Sequence, residues 1–562
     1  MKKGIKFILL LALTINYSIL EESIPYRNVI YFSNWSVYRV YSKYYPSSMD
    51  AKTISHINYA FLDVDKNGDL QLTDEYADFQ MATLPELEGL TYGAPYAGVI
   101  GALIILKIKN PHLKLGISVG GWSKSGNFHD IAKDKVKRQN FASNLAKFID
   151  YIGFDFVDID WEHPTVSRDG CPGGPEDTEN FTLLMKELRN ALDNLGEKNG
   201  RHYELSIAMS AELDILPTIE YDKVLGIIDF LNLMTYDLAG SWTPYTSHQT
   251  PLYTNEAYNH QTMNAKNSAN AAIEYFEKTY GNAIDYKKIL IGVAAYTRGW
   301  AGVKDDGLDK NSPGLYATAT PNSVESTDGS EGGIYPFGEI DQLIEKYDLV
   351  EYFDNTAKAA YYYSPTKGYF FTCDSEKSVA AKGKYVKEKE IGGLIMWMAS
   401  QDGENRLKRA IFNSMFGEDY KFPEQKITFS NPNKVEAKIT TTESGYEITV
   451  INNEELLETN LPFKYGETLH KSVTLMKLYI KTKSGSEFSV GSMSGTVTNK
   501  DGIGIVDPSS NYDAKNIAPG GSYTFNVKVS GTPDIDDIVS IKMTQRIVPS
   551  LDEIKEQIIY GK

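Results

Sequence analysis

The octapeptide Asp155-Phe156-Val157-Asp158-Ile159-Asp160-Trp161-Glu162 closes a run that is otherwise apolar. On a β-strand the side chains alternate between faces, which places Asp158, Asp160 and Glu162 on one face about 6.6 Å apart per step. Three carboxylates so crowded cannot all ionise, and repulsion together with burial raises the pKa of some of them. The product is a carboxylic acid that keeps its proton near neutral pH and can hand it to a leaving oxygen, as glycosidic cleavage requires. A metal cluster and solvated charge at a strand end are the other readings of such a run. Alternation with Ile159 and Trp161 on the opposite face fits neither an EF-hand spacing nor a solvated loop. Asp63-Val64-Asp65-Lys66-Asn67-Gly68 opens like a calcium loop, with Asp74 at the last ligand position. It follows a strand rather than a helix, so it reads as a polar turn. The eight histidines include no HExxH, and neither a metal nor another cofactor is expected.

Carboxylates at a strand end need a frame that brings several strand ends together. From Tyr26 onward, short apolar runs alternate with longer amphipathic ones, the pattern of parallel β/α units. Eight strands are expected: Val29 to Phe32, His56 to Phe61, Lys114 to Gly120, Phe154 to Asp160, Tyr203 to Ser210, Ile227 to Met234, Ile289 to Ala295 and Gly392 to Trp397. Eight units close a (β/α)₈ barrel, whose active sites sit at the C-terminal mouth, and residues 26–416 are assigned to it. Helices are expected at Val136 to Tyr151, Asp177 to Leu195 and Glu404 to Met415. The stretch from 302 to 390 is too long for a βα connection and reads as an inserted α+β domain. All six Trp lie before Phe416, and the chain then turns to Thr, Val, Ile and Ser punctuated by Asp501-Gly502 and Gly520-Gly521. Residues 426–548 therefore read as a C-terminal β-sandwich module that binds carbohydrate or anchors to a wall, with a plain spacer as the alternative. Leu551 to Tyr560 reads as a short amphipathic helix.

Composition narrows the partners. The 562 residues carry 57 Lys plus Arg against 74 Asp plus Glu, a net charge of −17 that repels phosphate backbones and anionic lipid, so neither nucleic acid nor a membrane is expected. Aromatic residues reach 12% and supply stacking platforms for flat neutral ligands such as sugars. Lys2, Lys3 and Lys6 before the apolar run Phe7 to Ile15 match a signal peptide over residues 1–22, which implies secretion to the extracellular space or cell wall. The run is too short to span a bilayer. Two cysteines, Cys171 and Cys373, leave at most one disulfide. Asn34 and Asn180 head glycosylation sequons, which matter only in a secreted eukaryotic chain.

The segment Gly153 to Glu162 resembles the DxxDxDxE signature of the glycoside hydrolase family 18 chitinases. Four more motifs follow that family's order: Ser118-Val119-Gly120-Gly121-Trp122, Met234-Thr235-Tyr236-Asp237, Tyr296-Thr297-Arg298-Gly299-Trp300, and Gly392-Gly393 to Trp397. Phe156 stands where Gly is usual, His163 where Tyr is common and Ala239 where a bulkier residue is frequent, which bears on substrate preference. The resemblance implies retaining, substrate-assisted hydrolysis of β-1,4-linked N-acetylglucosamine by a monomer. Glu162 would be the acid and base, Asp160 would orient the substrate's acetamido group, and Asp158 would share a proton with Asp160. Tyr236 would donate to the acetamido oxygen. Asp237, Arg298, Trp397, Trp122, Tyr31, Phe61 and Met234 would contact sugar, while Ser118, Gly120 and Gly121 would be small packing residues. Trp35, Trp242 and Trp300 are further candidates for the groove. A sugar-binding lectin on the same barrel, and an endo-β-N-acetylglucosaminidase acting on N-glycans, are the alternatives. Glu162 speaks against the lectin.

Overall fold

The computed structural model describes residues 24–561 except 39–42, 88–96, 169, 256–265, 305, 307–309, 326–330, 424–433, 455–472, 491–495, 508–514 and 547–553. The expected signal peptide lies outside the described residues.

The first half of the chain lays down β1 (Arg27–Ser33), β2 (His56–Val64), β3 (Leu70–Leu72), β4 (Lys114–Gly120), β5 (Phe156–Asp160), β6 (Glu204–Ser210), β7 (Phe230–Met234) and β8 (Ile289–Ala294). Next come β9 (Arg298–Trp300), β10 (Val350–Asp354), β11 (Ala359–Ser364), β12 (Tyr369–Cys373) and β13 (Gly393–Trp397). Eight strands pair in parallel in the order β1, β2, β4, β5, β6, β7, β8, β13, and β13 returns to β1, so the sheet closes as a (β/α)₈ barrel. The helices lie between strands. Lys135–Ile152 starts at Asp134, whose carboxylate accepts from the N–H of Val136 and Lys137, and stops at Gly153 with φ +78°.

Strand alternation divides the barrel wall. Val157, Ile159 and Trp161 point outward into the core under the helices, where the buried Trp161 ring stacks on Phe128 at 5.6 Å. Tyr31, Phe156, Phe230, Leu290 and Ile395 form a second apolar cluster with Tyr236 and Trp397. Glycines make room for the large rings: a Cβ on Gly116 would lie 2.1 Å from Phe156, and one on Gly292 would lie 2.6 Å from Tyr236.

Within the region expected to be an insertion, β10, β11 and β12 pair antiparallel, and β9, which ends two residues before that region, joins them as the fourth strand of the sheet. The helix Glu376–Lys389 that follows is tied to the barrel. Its buried Lys382 bonds Asp374 at 2.7 Å and the Gly292 carbonyl of β8 at 2.8 Å. Helix Arg406–Phe416 comes next, and Tyr420 and Phe422 fold back on it, Phe422 also stacking on His112 at 4.8 Å.

Beyond residue 433 every named strand belongs to two antiparallel sheets enclosing a separate apolar core that includes Ile448, Leu478, Phe525 and Ile541. Tyr446 belongs to this core, its hydroxyl donating to the Asp534 carbonyl at 2.8 Å. The tail corrects the sequence reading: Ile554–Gly561 is a strand, not a helix, paired antiparallel with Ile538–Arg546. Its apolar residues fit either periodicity, and an open sheet edge decided between them.

Candidate active site

The barrel register explains how Asp158 is held. Ser118 of β4 and Ser206 of β6 lie directly beside it in the two flanking strands. Both hydroxyls donate to its carboxylate, at 2.8 and 2.6 Å. Tyr31 Oη donates at 2.9 Å and Asn232 Nδ2 at 3.0 Å, so four donors converge on one buried group. Burial pushes Asp158 up, and the four hydrogen bonds pull it back. Ser118 is thus more than a small packing residue. Ser206 and Asn232, unnoticed in the sequence, occupy inward positions of neighbouring strands, a parity that could have revealed them.

Asp160, one step nearer the mouth, has the opposite surroundings. Its Oδ1 is buried without a hydrogen-bond partner, and its main-chain carbonyl takes the Gly121 N–H at 2.7 Å. A Cβ on Gly120, at φ +110°, would meet that carbonyl at 2.2 Å, so this close crossing needs glycine. Burial first, then the charges of Glu162 and Asp158, hold the Asp160 carboxyl well above its ordinary range.

Glu162 follows at the rim, its side chain 15% exposed. Its N–H donates to Ser125 Oγ at 2.9 Å. Burial, then the Asp237 charge, raises its carboxyl to about 7, while the Arg168 charge opposes them. The neighbouring His163, 3.8 Å from Glu162 Oε2, is lowered to about 4 by burial and by Arg168, so it is neutral when Glu162 titrates. Tyr236 is buried among four carboxylates, and burial followed by their charge keeps its phenol protonated.

Asp237, in the left-handed conformation at φ +57°, accepts from Arg298 Nε at 2.8 Å. Arg298 also binds Glu331 at 2.6 Å, from the segment between β9 and β10, and its guanidinium lies 5.2 Å from the Trp242 ring. Trp397 stacks on Phe61 at 5.5 Å with an interplanar angle of 20°, and Tyr31 and Trp35 close on it at 5.5 and 6.3 Å. Met234, half-buried at the end of β7, packs in the same apolar cluster. Trp122 and Trp242 are exposed, and Trp300 is fully buried, its indole donating to the Thr243 carbonyl at 3.1 Å. Of the tryptophans proposed for the groove, Trp300 is therefore a support.

The other sequence candidates resolve locally. Asp65 caps the β2–β3 hairpin turn by accepting the N–H groups of Asn67 and Asp69 at 2.8 and 2.9 Å, and Asp74 accepts from Tyr38 at 2.6 Å. Cys171 and Cys373 are free, buried thiols. Asn34 is buried and bonds Thr73 at 2.7 Å, so its sequon faces inward. No described helix is long and apolar enough to cross a membrane.

The family model for glycosyl hydrolases family 18 matches residues 27–402. The chain belongs to this family. Chitinase A1 of Niallia circulans is 32% identical over 419 residues, a match covering 70% of this chain and 58% of that relative. A solved family 18 N-acetylglucosaminidase from Paenibacillus barengoltzii is 30% identical with a TM-score of 0.56, covering 69% of this chain and 99% of its own. A Bacillus thuringiensis chitinase superposes with a TM-score of 0.64 over 92% of this chain and 99% of its own. At 22% identity that last likeness is one of fold. As a family 18 member the protein is a glycoside hydrolase built on a (β/α)₈ barrel, and the strand ends that carry the family motifs converge at one mouth.

Proposed function

We propose that the protein hydrolyses β-1,4 linkages of chitin and N-acetylglucosamine oligomers, with retention, through the substrate's own acetamido group. The observation that carries the reading is the run of carboxyls at the end of β5, where an acid raised to about 7 stands at the mouth and burial also raises the two carboxyls behind it, Asp160 and Asp158. Asp158 is wrapped by four donors inside the barrel, and Asp160 is held well above its ordinary range, a poor nucleophile while protonated. The acetamido carbonyl oxygen of the sugar supplies the missing nucleophile.

Glu162 protonates the leaving oxygen, and the carbonyl oxygen bonds to the anomeric carbon to give a cyclic oxazolinium ion. The unpaired Asp160 Oδ1 accepts the acetamido N–H, and the neutral Tyr236 hydroxyl donates to its oxygen, stabilising the developing charge. Glu162, now ionised, takes a proton from the water that opens the ring, so retention follows from two inversions. Trp397, backed by Phe61 and Tyr31, forms the floor under the sugar, with Met234 beside it. Asp237 and Arg298 take sugar hydroxyls, and Trp122 offers a second ring face. We further propose secretion, action as a monomer, and a polymer-holding role for the sandwich.

The test is a matched set of tetramers. Chitotetraose should be cleaved, cellotetraose and fully deacetylated chitosan tetramer should not, and a thiazoline mimic of the cyclic intermediate should inhibit. Robust cellotetraose hydrolysis would refute the acetamido route.

A further inference from the structure

Two tryptophans at the barrel mouth stand out into solvent, Trp122 at 62% and Trp242 at 43% exposure, and each carries an arginine. Arg298, beside Trp242, already balances Asp237 and Glu331. Among the described residues, the side-chain hydrogen bonds of Arg168 all go to main-chain carbonyls. Its guanidinium lies 3.8 Å from the centroid of Trp122, its Nε and Nη2 donate to the Glu162 carbonyl at 3.2 and 3.0 Å, and Nη2 also donates to the Trp122 carbonyl. The backbone of Arg168 is pinned in turn, exchanging N–H to carbonyl bonds of 3.0 and 2.9 Å with Cys171. One planar fork thus joins the acid's own peptide, the backbone after β4 and an exposed indole.

We propose that Arg168 is a positioning residue for hydrolysis, holding the Trp122 indole as a fixed platform for a sugar ring and fixing the backbone that carries Glu162. This rests on the reading of Glu162 as the acid and of acetylated oligomers as substrate. An indole this exposed loses rotamer freedom when a sugar stacks on it, and a cation already seated on the ring removes part of that cost in advance. Lysine cannot replace the arrangement, because only a guanidinium is flat enough to stack while donating in a fork.

The charge acts as well as the shape. Glu162 is faced by Asp160 and Tyr236 from inside the barrel, by Asp237 from the loop after β7, and by the neutral His163 beside it. Asp237 raises the acid and Arg168 lowers it, so removing the arginine charge moves the acid's midpoint to higher pH.

Arg168→Met keeps length and packing without donors or charge, and Arg168→Lys keeps the charge without the fork. On chitotetraose, Arg168→Met should raise KM by roughly fivefold to tenfold and shift the alkaline limb of kcat/KM upward in pH. Arg168→Lys should raise KM but leave the limb at the parental pH, which also decides the matter if the Met variant fails to fold. In a Glu162→Gln background, calorimetry should show the same loss of chitotetraose affinity for Arg168→Met. A folded Met variant with parental KM and parental limb overturns the proposal, and so does a drop in kcat alone, which would mark mere support of the loop. A parent that binds chitotetraose without cleaving it refutes the reading of Glu162 while the affinity comparison still decides on Arg168. A parent that neither cleaves nor binds overturns both.

Discussion

At the floor of the barrel Glu204 begins β6 with its side chain 8% exposed, and at the mouth Glu162 follows β5 with 15% exposed. Burial alone would raise both carboxyls. At the floor it is outweighed by the Lys114 charge at 3.1 Å, the His56 hydrogen bond at 3.0 Å and the Arg27 charge at 3.5 Å, which hold Glu204 well below its ordinary range. At the mouth Arg168 opposes only part of the burial, and the Asp237 charge adds to it. Similar burial therefore produces opposite shifts, and partners decide the sign. The end with compensated charge is framework, and the end left uncompensated does the chemistry.

The largest expected effect is at the mouth. Glu162→Gln keeps the shape without the proton, so turnover of chitotriose should fall on the order of 10³-fold while oligomer binding persists. The same change should flatten a pH slope in stability. Glu162 has a folded pKa near 7, above the ordinary 4.5, so the folded state binds the extra proton between those values. Its contribution is complete below 4.5 and lost as pH rises through about 7, and thermal melts of the parent should fall over that window more than those of the variant.

Glu204→Gln should reverse the pattern. Leaving the half-buried Lys114 and Arg27 without the Glu204 anion should cost about 1 to 3 kcal/mol in denaturant unfolding, while the kcat of the folded fraction stays near the parent's. The linkage sign is opposite too: Glu204 is depressed, so its contribution is present above the unfolded carboxylate pKa and disappears as pH falls through the folded one. A Glu204→Gln protein of parental stability but low kcat would erase the distinction between the two ends.

Smaller effects test where the barrel stops. A chain cut after Pro423 keeps Tyr420 and Phe422 on helix Arg406–Phe416, and its turnover of soluble oligomers should equal that of the full chain. A cut after Phe416 exposes His112 and loses the burial of Phe422, which should lower stability by about 1.5 to 3 kcal/mol. If the sandwich holds polymer, either cut should reduce retention on insoluble chitin. Inactivity of the folded, longer truncation would show that the sandwich helps to build the mouth. The smallest effect is that of Asp237→Asn. Its charge raises Glu162, so its removal should move the alkaline limb of kcat/KM to lower pH.

Much of this was legible in the sequence, for identifiable reasons. All eight barrel strands begin or end within three residues of the runs read from alternation, because both faces of each are buried and the apolar signal is strong. The ordered motifs led to Asp158, Asp160, Glu162 and Tyr236, which the closed sheet brings to one mouth. Tertiary closure hid the rest. Ser206 and Asn232 are unremarkable in their strands until neighbouring registers point them at Asp158. Arg168 reaches Trp122, and Glu331 reaches Arg298, only when separate loops meet. The last strand was misread because Ile554–Gly561 carries an ambiguous pattern and only its pairing partner makes it β.

The central claim is that the mouth keeps a buried proton on Glu162 which the substrate then consumes. The pH dependence of kcat/KM on chitotriose, measured with Glu162→Gln as the inactive reference, tests it most directly. An alkaline midpoint near 7 that vanishes with the variant is the expected result. A midpoint at the ordinary carboxylate value, or undiminished turnover by Glu162→Gln, would contradict it.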